Sequence, residues 1–125
     1  MKHDEFLTKV GQRADVSLAT AESLTAATLR TLAERISGGE ARDLAAQLHS
    51  ALEPYLSAAP EPAESFGAEE FVRRVAERAG VDEDKARAGI QAVFTTVREA
   101  VAGGEIDDIR AQLSRDYDQL IGAKG

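Results

Sequence analysis

Cysteine and tryptophan are both missing from the 125 residues. Without cysteine there can be no disulfide, no thiol nucleophile and no thiolate metal site. Aromatic residues are scarce, with four Phe and two Tyr, so a core has to be assembled from Ala, Leu, Val and Ile. No run approaches the ~18 apolar residues of a membrane span. The start, Met1-Lys2-His3-Asp4-Glu5, lacks the apolar stretch of a secretion signal. A soluble cytoplasmic protein is expected. A basic patch is missing as well. The net charge of −7 is spread along the chain, −2 over residues 1–56, −2 over 57–66 and −3 over 67–125. Phosphate binding needs clustered Lys and Arg, so the expected partners include no nucleic acid and no membrane. Arg73-Arg74 with Arg78 comes nearest to a cluster, but Glu69, Glu70 and Glu77 interleave it. At those spacings the charges read as solvated pairs on one helix face.

What is present is a repetition. Residues 4–56 lie over residues 69–121 at a constant offset of 65, without a gap and with 17 identities. Unrelated segments of ordinary composition would share about four. The identities include Phe6 with Phe71, Val10 with Val75, Arg13 with Arg78, Glu34 with Glu99, and Gly38-Gly39-Glu40 with Gly103-Gly104-Glu105. Unbroken register over this length means two copies of one supersecondary unit.

Each copy reads as three helices and a tail. Phe6, Leu7, Val10 and Ala14 mark one face of the first helix, as do Phe71, Val72, Val75 and Ala79 in the second copy. Phe66, Gly67 and Phe71 have the spacing of a hydrophobic staple. After a short turn, Ser17 or Asp82 is placed to cap the second and longest helix. Its inward stripe is Ala21, Thr25, Thr28, Leu29, Leu32 and Ile36, against Ala86, Ile90, Val93, Phe94, Val97 and Val101. Leu24 stands where the other copy has Gly89, so the two faces cannot be identical. Gly38 and Gly103 are expected to take the left-handed position that stops this helix. Gly39 and Gly104 then begin a short third helix with Glu40 or Glu105 at its positive end. Pro54 should leave the first tail the less regular. Residues 57–66 are small, Pro-interrupted and read as the linker.

Half of this chain is too short for a comfortable core of its own. The expected architecture is therefore all-α, a single domain over residues 1–125. Repeat one (4–56) and repeat two (69–121) would pack with pseudo-two-fold symmetry, the long helices at the centre.

Reactive chemistry is hard to find. Ile36-Ser37-Gly38-Gly39-Glu40 superficially resembles a transport-ATPase signature loop, but the phosphate-cradling P-loop it would need is missing. His3 and His49 lie on different elements without a metal-spaced partner, and read as incidental. The acidic run Asp82-Glu83-Asp84 reads as a dipole-favoured helix start, and Tyr55 and Tyr117 as lids on the core. No catalytic residue, cofactor or metal is assigned, and an enzyme is not expected. Glu40, Asp43 and Gln47, with Glu105, Asp108 and Gln112, form a polar stripe on each third helix. These six are the candidate docking surface, with a weak divalent-cation site as a lesser reading and service to the Gly-Gly turn as the plain one.

The stretch Thr31-Leu32-Ala33-Glu34-Arg35-Ile36-Ser37-Gly38-Gly39-Glu40 through Leu48, then Glu70-Phe71-Val72-Arg73-Arg74-Val75 and Gly103-Gly104-Glu105 through Leu113, carries a resemblance. It is similar to the bacterial, largely actinobacterial family catalogued as domain of unknown function 2267. The resemblance spans nearly the whole chain and implies a helical fold, a cytoplasmic setting and no established activity. It also implies proline after the Gln-Leu pair, where this chain has His49 and Ser114, so a softer end to helix three is expected. The leading functional expectation is an interaction or scaffold module that binds a partner protein or forms a homo-oligomer. The alternative is a carrier of a small apolar ligand between the repeats, with Thr25 and Thr28 as its polar contacts.

Overall fold

The computed structural model describes residues 1–57 and 62–121, so part of the expected linker, residues 58–61, lies outside the described residues. Eight α-helices are formed among the described residues. They are α1 (His3–Ala14), α2 (Leu18–Arg35), α3 (Gly38–Gln47), α4 (Glu53–Ser57), α5 (Ala68–Ala79), α6 (Glu83–Ala100), α7 (Gly103–Ala111) and α8 (Asp118–Ile121). Single 3-10 turns, Ser50–Leu52 and Arg115–Tyr117, lead into α4 and α8. Adding 65 to the bounds of α1 and α2 gives the bounds of α5 and α6.

Local chemistry sets these limits. The first helix of each half stops on a left-handed residue, Asp15 (φ 57°) or Gly80 (φ 71°). Two residues later the Ser17 hydroxyl accepts from the Thr20 amide, and the Asp82 carboxylate accepts from Lys85. Both are N-caps satisfying donors the helix leaves orphaned. Gly67 caps α5, and Phe66 closes on Phe71 with ring centroids 6.3 Å apart, forming the expected staple.

The glycine pairs behave differently from expectation. Among the described residues only Asp15 and Gly80 have positive φ, so neither Gly38 nor Gly103 is left-handed. Both long helices end instead on extended residues, Ile36 and Val101, followed by extended Ser37 and Ala102. Gly38 and Gly103 are already the first residues of α3 and α7, with Gly39 and Gly104 second. The turn runs through extended backbone, so no left-handed residue is needed. Pro54 also departs from expectation: it sits in the first turn of α4, where its missing amide costs nothing. Without proline, α3 ends at Gln47 on the extended Leu48, and His49 Nδ1 accepts from the Ala51 amide at 3.0 Å to cap the turn that follows.

The halves interleave. Helix α1 packs along α6, α5 packs along α2, and α2 and α6 lie against each other. Apolar side chains from both halves are removed from water, among them Phe6, Val10, Leu24, Leu32, Phe71, Val75, Ile90 and Val97. Removing apolar surface from water supplies roughly 25 cal/mol per Å². Leu24 fills the space above Gly89, where an added Cβ would come within 2.6 Å of the leucine Cδ2. Among the described residues, the large apolar side chains left in solvent are Met1 and Leu18.

Candidate functional site

Helices α3 and α7 meet and bring both polar stripes together. Gln47 reaches from the end of α3 to the start of α7. Its Oε1 accepts from the Ala102 amide at 2.8 Å, and its Nε2 donates to Glu105 Oε1 at 3.2 Å. Gln112 does the same in return, accepting from the Ser37 amide at 2.8 Å and donating to Glu40 Oε1 at 3.3 Å. Each glutamine thus holds the extended turn of the opposite half and one oxygen of the opposite glutamate. Turn service was the plain reading of these residues, but they serve across the halves.

Glu40, Asp43 and Glu105 converge, with one carboxylate oxygen from each within 4.8 Å of the others. Glu105 is 7 % exposed, Glu40 is half-buried, and Asp43 and Asp108 face solvent. The second oxygens, Glu40 Oε2 and Glu105 Oε2, are buried with no hydrogen-bond partner. Burial pushes the Glu105 carboxyl up to about 7, and the neighbouring carboxylates Glu40, Asp43 and Asp108 push the same way. All six stripe residues meet around this junction: the four acids by contact or through the field on Glu105, and Gln47 and Gln112 through their bonds to Glu105 and Glu40.

A second arrangement escaped the sequence reading. Arg13 on α1 donates to Thr96 Oγ1 (2.9 Å) and to Glu99 (2.7 Å) on α6. Arg78 on α5 donates to Thr31 Oγ1 (2.9 Å) and to Glu34 (2.7 Å) on α2. Lys9 joins Glu99 at 3.2 Å, and Arg74, its equivalent 65 residues on, joins Glu34 at 2.9 Å. The expected helix-face pairs exist, as Arg73 and Arg74 both bind Glu70. Arg74 and Arg78, however, also tie helices together. Arg13, and then Lys9, hold the Glu99 carboxyl below its ordinary value. Burial raises Glu34, but the bonds from Arg78 and Arg74 outweigh it and the net shift is downward. The signal was available, because Arg13/Arg78, Thr31/Thr96 and Glu34/Glu99 are all identical pairs.

The remaining candidates sort plainly. His3 and His49 come together with ring centroids 5.6 Å apart, although the sequence showed no reason to pair them. Tyr117 is buried and donates to the Phe66 carbonyl at 2.7 Å; burial raises its hydroxyl to about 12, which suits a core strut. Thr25 and Thr28 are buried, and their hydroxyls have no partner. Neither lines the cleft bordered by Gly67, Glu70, Arg87, Gln91, Arg115 and Asp116. No helix is long and apolar enough to cross a membrane among the described residues.

No curated protein matches this sequence. A family model matches residues 3–120, and by it the chain belongs to the family described as Uncharacterized conserved protein (DUF2267).

Proposed function

We propose that the chain is a non-enzymatic interaction module in which two tandem repeats close about a pseudo-two-fold axis and present the α3–α7 junction to a basic partner protein. Pseudo-symmetry is supported by the contacts that recur with partners exchanged: Arg13 to Glu99 with Arg78 to Glu34, and Gln47 to Glu105 with Gln112 to Glu40. A single domain over residues 1–125 is supported by the packing of α1 on α6 and of α5 on α2.

The observation that carries the docking reading is the gathering of Glu40, Asp43, Glu105 and Asp108 at that junction, while apolar groups are withdrawn from the surface. With only Met1 and Leu18 offered among the large apolar side chains described, a partner has to be held by charge rather than by a greasy groove. Attraction between opposite charges steers association and weakens with salt. The same scarcity of exposed apolar surface weighs against a hydrophobic homo-oligomer. It weighs less on the ligand-carrier alternative, for which Thr25 and Thr28 supply buried hydroxyls.

The test compares proteins retained from lysate, at low and high salt, by the native chain and by a double variant, Asp43→Lys with Asp108→Lys. A partner held by the native chain, released by salt and lost in the variant is the expected result. Equal retention by both, or none by either, would count against acid-mediated docking. Mass by light scattering over a range of concentrations checks self-association separately, and native mass spectrometry of the purified protein checks for a retained apolar ligand.

A further inference from the structure

We propose that Glu40, Asp43 and Glu105 bind one hard divalent cation, of the calcium, manganese or magnesium class, at the α3–α7 junction. The three carboxylate oxygens lie within 4.8 Å of one another. An ion with bonds of about 2.1–2.5 Å, placed among them, spans such a set with little movement. The donors are oxygen only, which favours these ions over zinc or copper.

Proximity of acids alone would say little. The second observation is the state of the two glutamates. Glu105 is more than nine-tenths buried, and its Oε2 and Glu40 Oε2 are withdrawn from solvent with no donor other than a proton held between the two carboxyls themselves. Each glutamate has its other oxygen fixed by an amide from the opposite half, Gln47 Nε2 on Glu105 and Gln112 Nε2 on Glu40. Amides that orient carboxylates in this way are what surrounds a metal ligand set. A buried carboxylate oxygen without a donor beside further acids is unfavourable, and a cation at the centre supplies the missing charge. Exposed Asp43 leaves the site open to solvent, so water can complete the coordination of an ion that arrives from that side.

This inference uses the same junction as the docking proposal but needs no partner, and the two are measured independently. Chelator-treated full-length chain is titrated calorimetrically with manganese, calcium and magnesium chlorides at pH 7.5, and bound manganese is counted by electron paramagnetic resonance. The expected result is one site per chain for at least one of these ions. Glu105→Gln and Glu40→Gln should each weaken it at least tenfold, and Gln47→Leu should weaken it roughly tenfold through the lost orientation of Glu105. Circular dichroism reports whether each variant is folded, and Asp43→Asn, at an exposed position, stands in for any that is not. No binding to the native chain at millimolar ion would overturn the proposal and leave a proton shared by Glu40 and Glu105 as the occupant. Undiminished binding in the folded variants would overturn it too, by placing the ion elsewhere on the acidic surface.

Discussion

Arg13 on Thr96 and Glu99, and Arg78 on Thr31 and Glu34, are one contact made twice. Leu24 against Gly89 is a contact made once, between unlike residues at equivalent positions of the two halves. The difference follows from where each lies relative to the proposed axis. Away from it, a residue meets a partner that is not its own equivalent, so both halves can keep the same pair. On it, a residue meets its own equivalent. Two leucines would collide there, and two glycines would leave a void. Duplication is preserved on the flanks and has to break at the centre.

The largest effect is therefore expected at the centre. Leu24→Ala should cost about 3 kcal/mol of stability, the usual range for emptying a fully buried leucine site. Gly89→Ala should cost about 1–2 kcal/mol despite its better helix propensity, because the new methyl enters space that Leu24 holds at 2.6 Å. Combined, the two changes should cost clearly less than their sum, since a smaller residue at 24 admits the methyl at 89. Denaturant unfolding of the single and double variants measures the coupling. Strict additivity would remove Leu24 and Gly89 from the axis.

Next comes a difference between Glu105 and its equivalent, Glu40. Glu105 is raised from 4.5 to about 7, so between those values the folded chain keeps a proton that the unfolded chain has released. Its contribution to stability is complete below about pH 4.5 and is lost as pH rises through about 7. In chelator, Glu105→Gln should therefore raise stability above pH 7 by up to about 3 kcal/mol and change little at pH 4. Glu40→Gln, at the less buried position, should give a smaller gain. Parallel stability profiles for native chain and Glu105→Gln across pH 4–8 would refute this.

The flanking pair differs by degree. Glu34 is bound by two arginines, with Arg74 also holding Glu64 and Glu70 and lying 4.0 Å above the Phe66 ring. Glu99 is bound by Arg13 and by Lys9, whose ammonium is a single point of charge where Arg74 offers a planar fork. Side-chain exposure agrees, at 21 % for Glu34 and 40 % for Glu99. Glu34→Gln should cost about 1–2 kcal/mol, and Glu99→Gln should lower the melting temperature by less. Lys9→Arg should narrow the gap. An equal loss in both glutamine variants would show that Arg74 adds nothing beyond its count of contacts.

Helix positions were legible because each depends on neighbours in sequence: the apolar spacing of Phe71, Val72 and Val75, the caps Ser17 and Asp82, the staple of Phe66 on Phe71. Duplication made the reading firmer by stating each of these twice. The Gly-Gly turn was misread because glycine after a helix usually signals a left-handed stop. Here the stop lies in Ile36 and Val101, held open by glutamines that arrive from the other half. That information resides in no local window. The acid junction was partly legible: the stripes were identified, but two stripes on separate copies read as two outward surfaces until packing brought α3 onto α7. His3 with His49 joins residues distant in sequence, and no periodicity could have linked them.

The smallest expected effect isolates backbone from contact. Asp15 and Gly80 end equivalent helices in the same left-handed conformation, at φ 57° and 71°. A side-chain-bearing residue there is disfavoured by roughly 1 kcal/mol relative to glycine. An added Cβ at Gly80 would meet nothing within 4 Å, so any penalty at that position comes from φ alone. Asp15→Gly should gain about 0.5–1 kcal/mol, and Gly80→Asp should lose a similar amount. The two changes together should nearly cancel, because they exchange the residues of two like turns. Thermal unfolding of the three variants measures this. A gain at 15 without the matching loss at 80 would mean that Asp15 is held back by something other than its backbone, and that the two turns are alike in outline only.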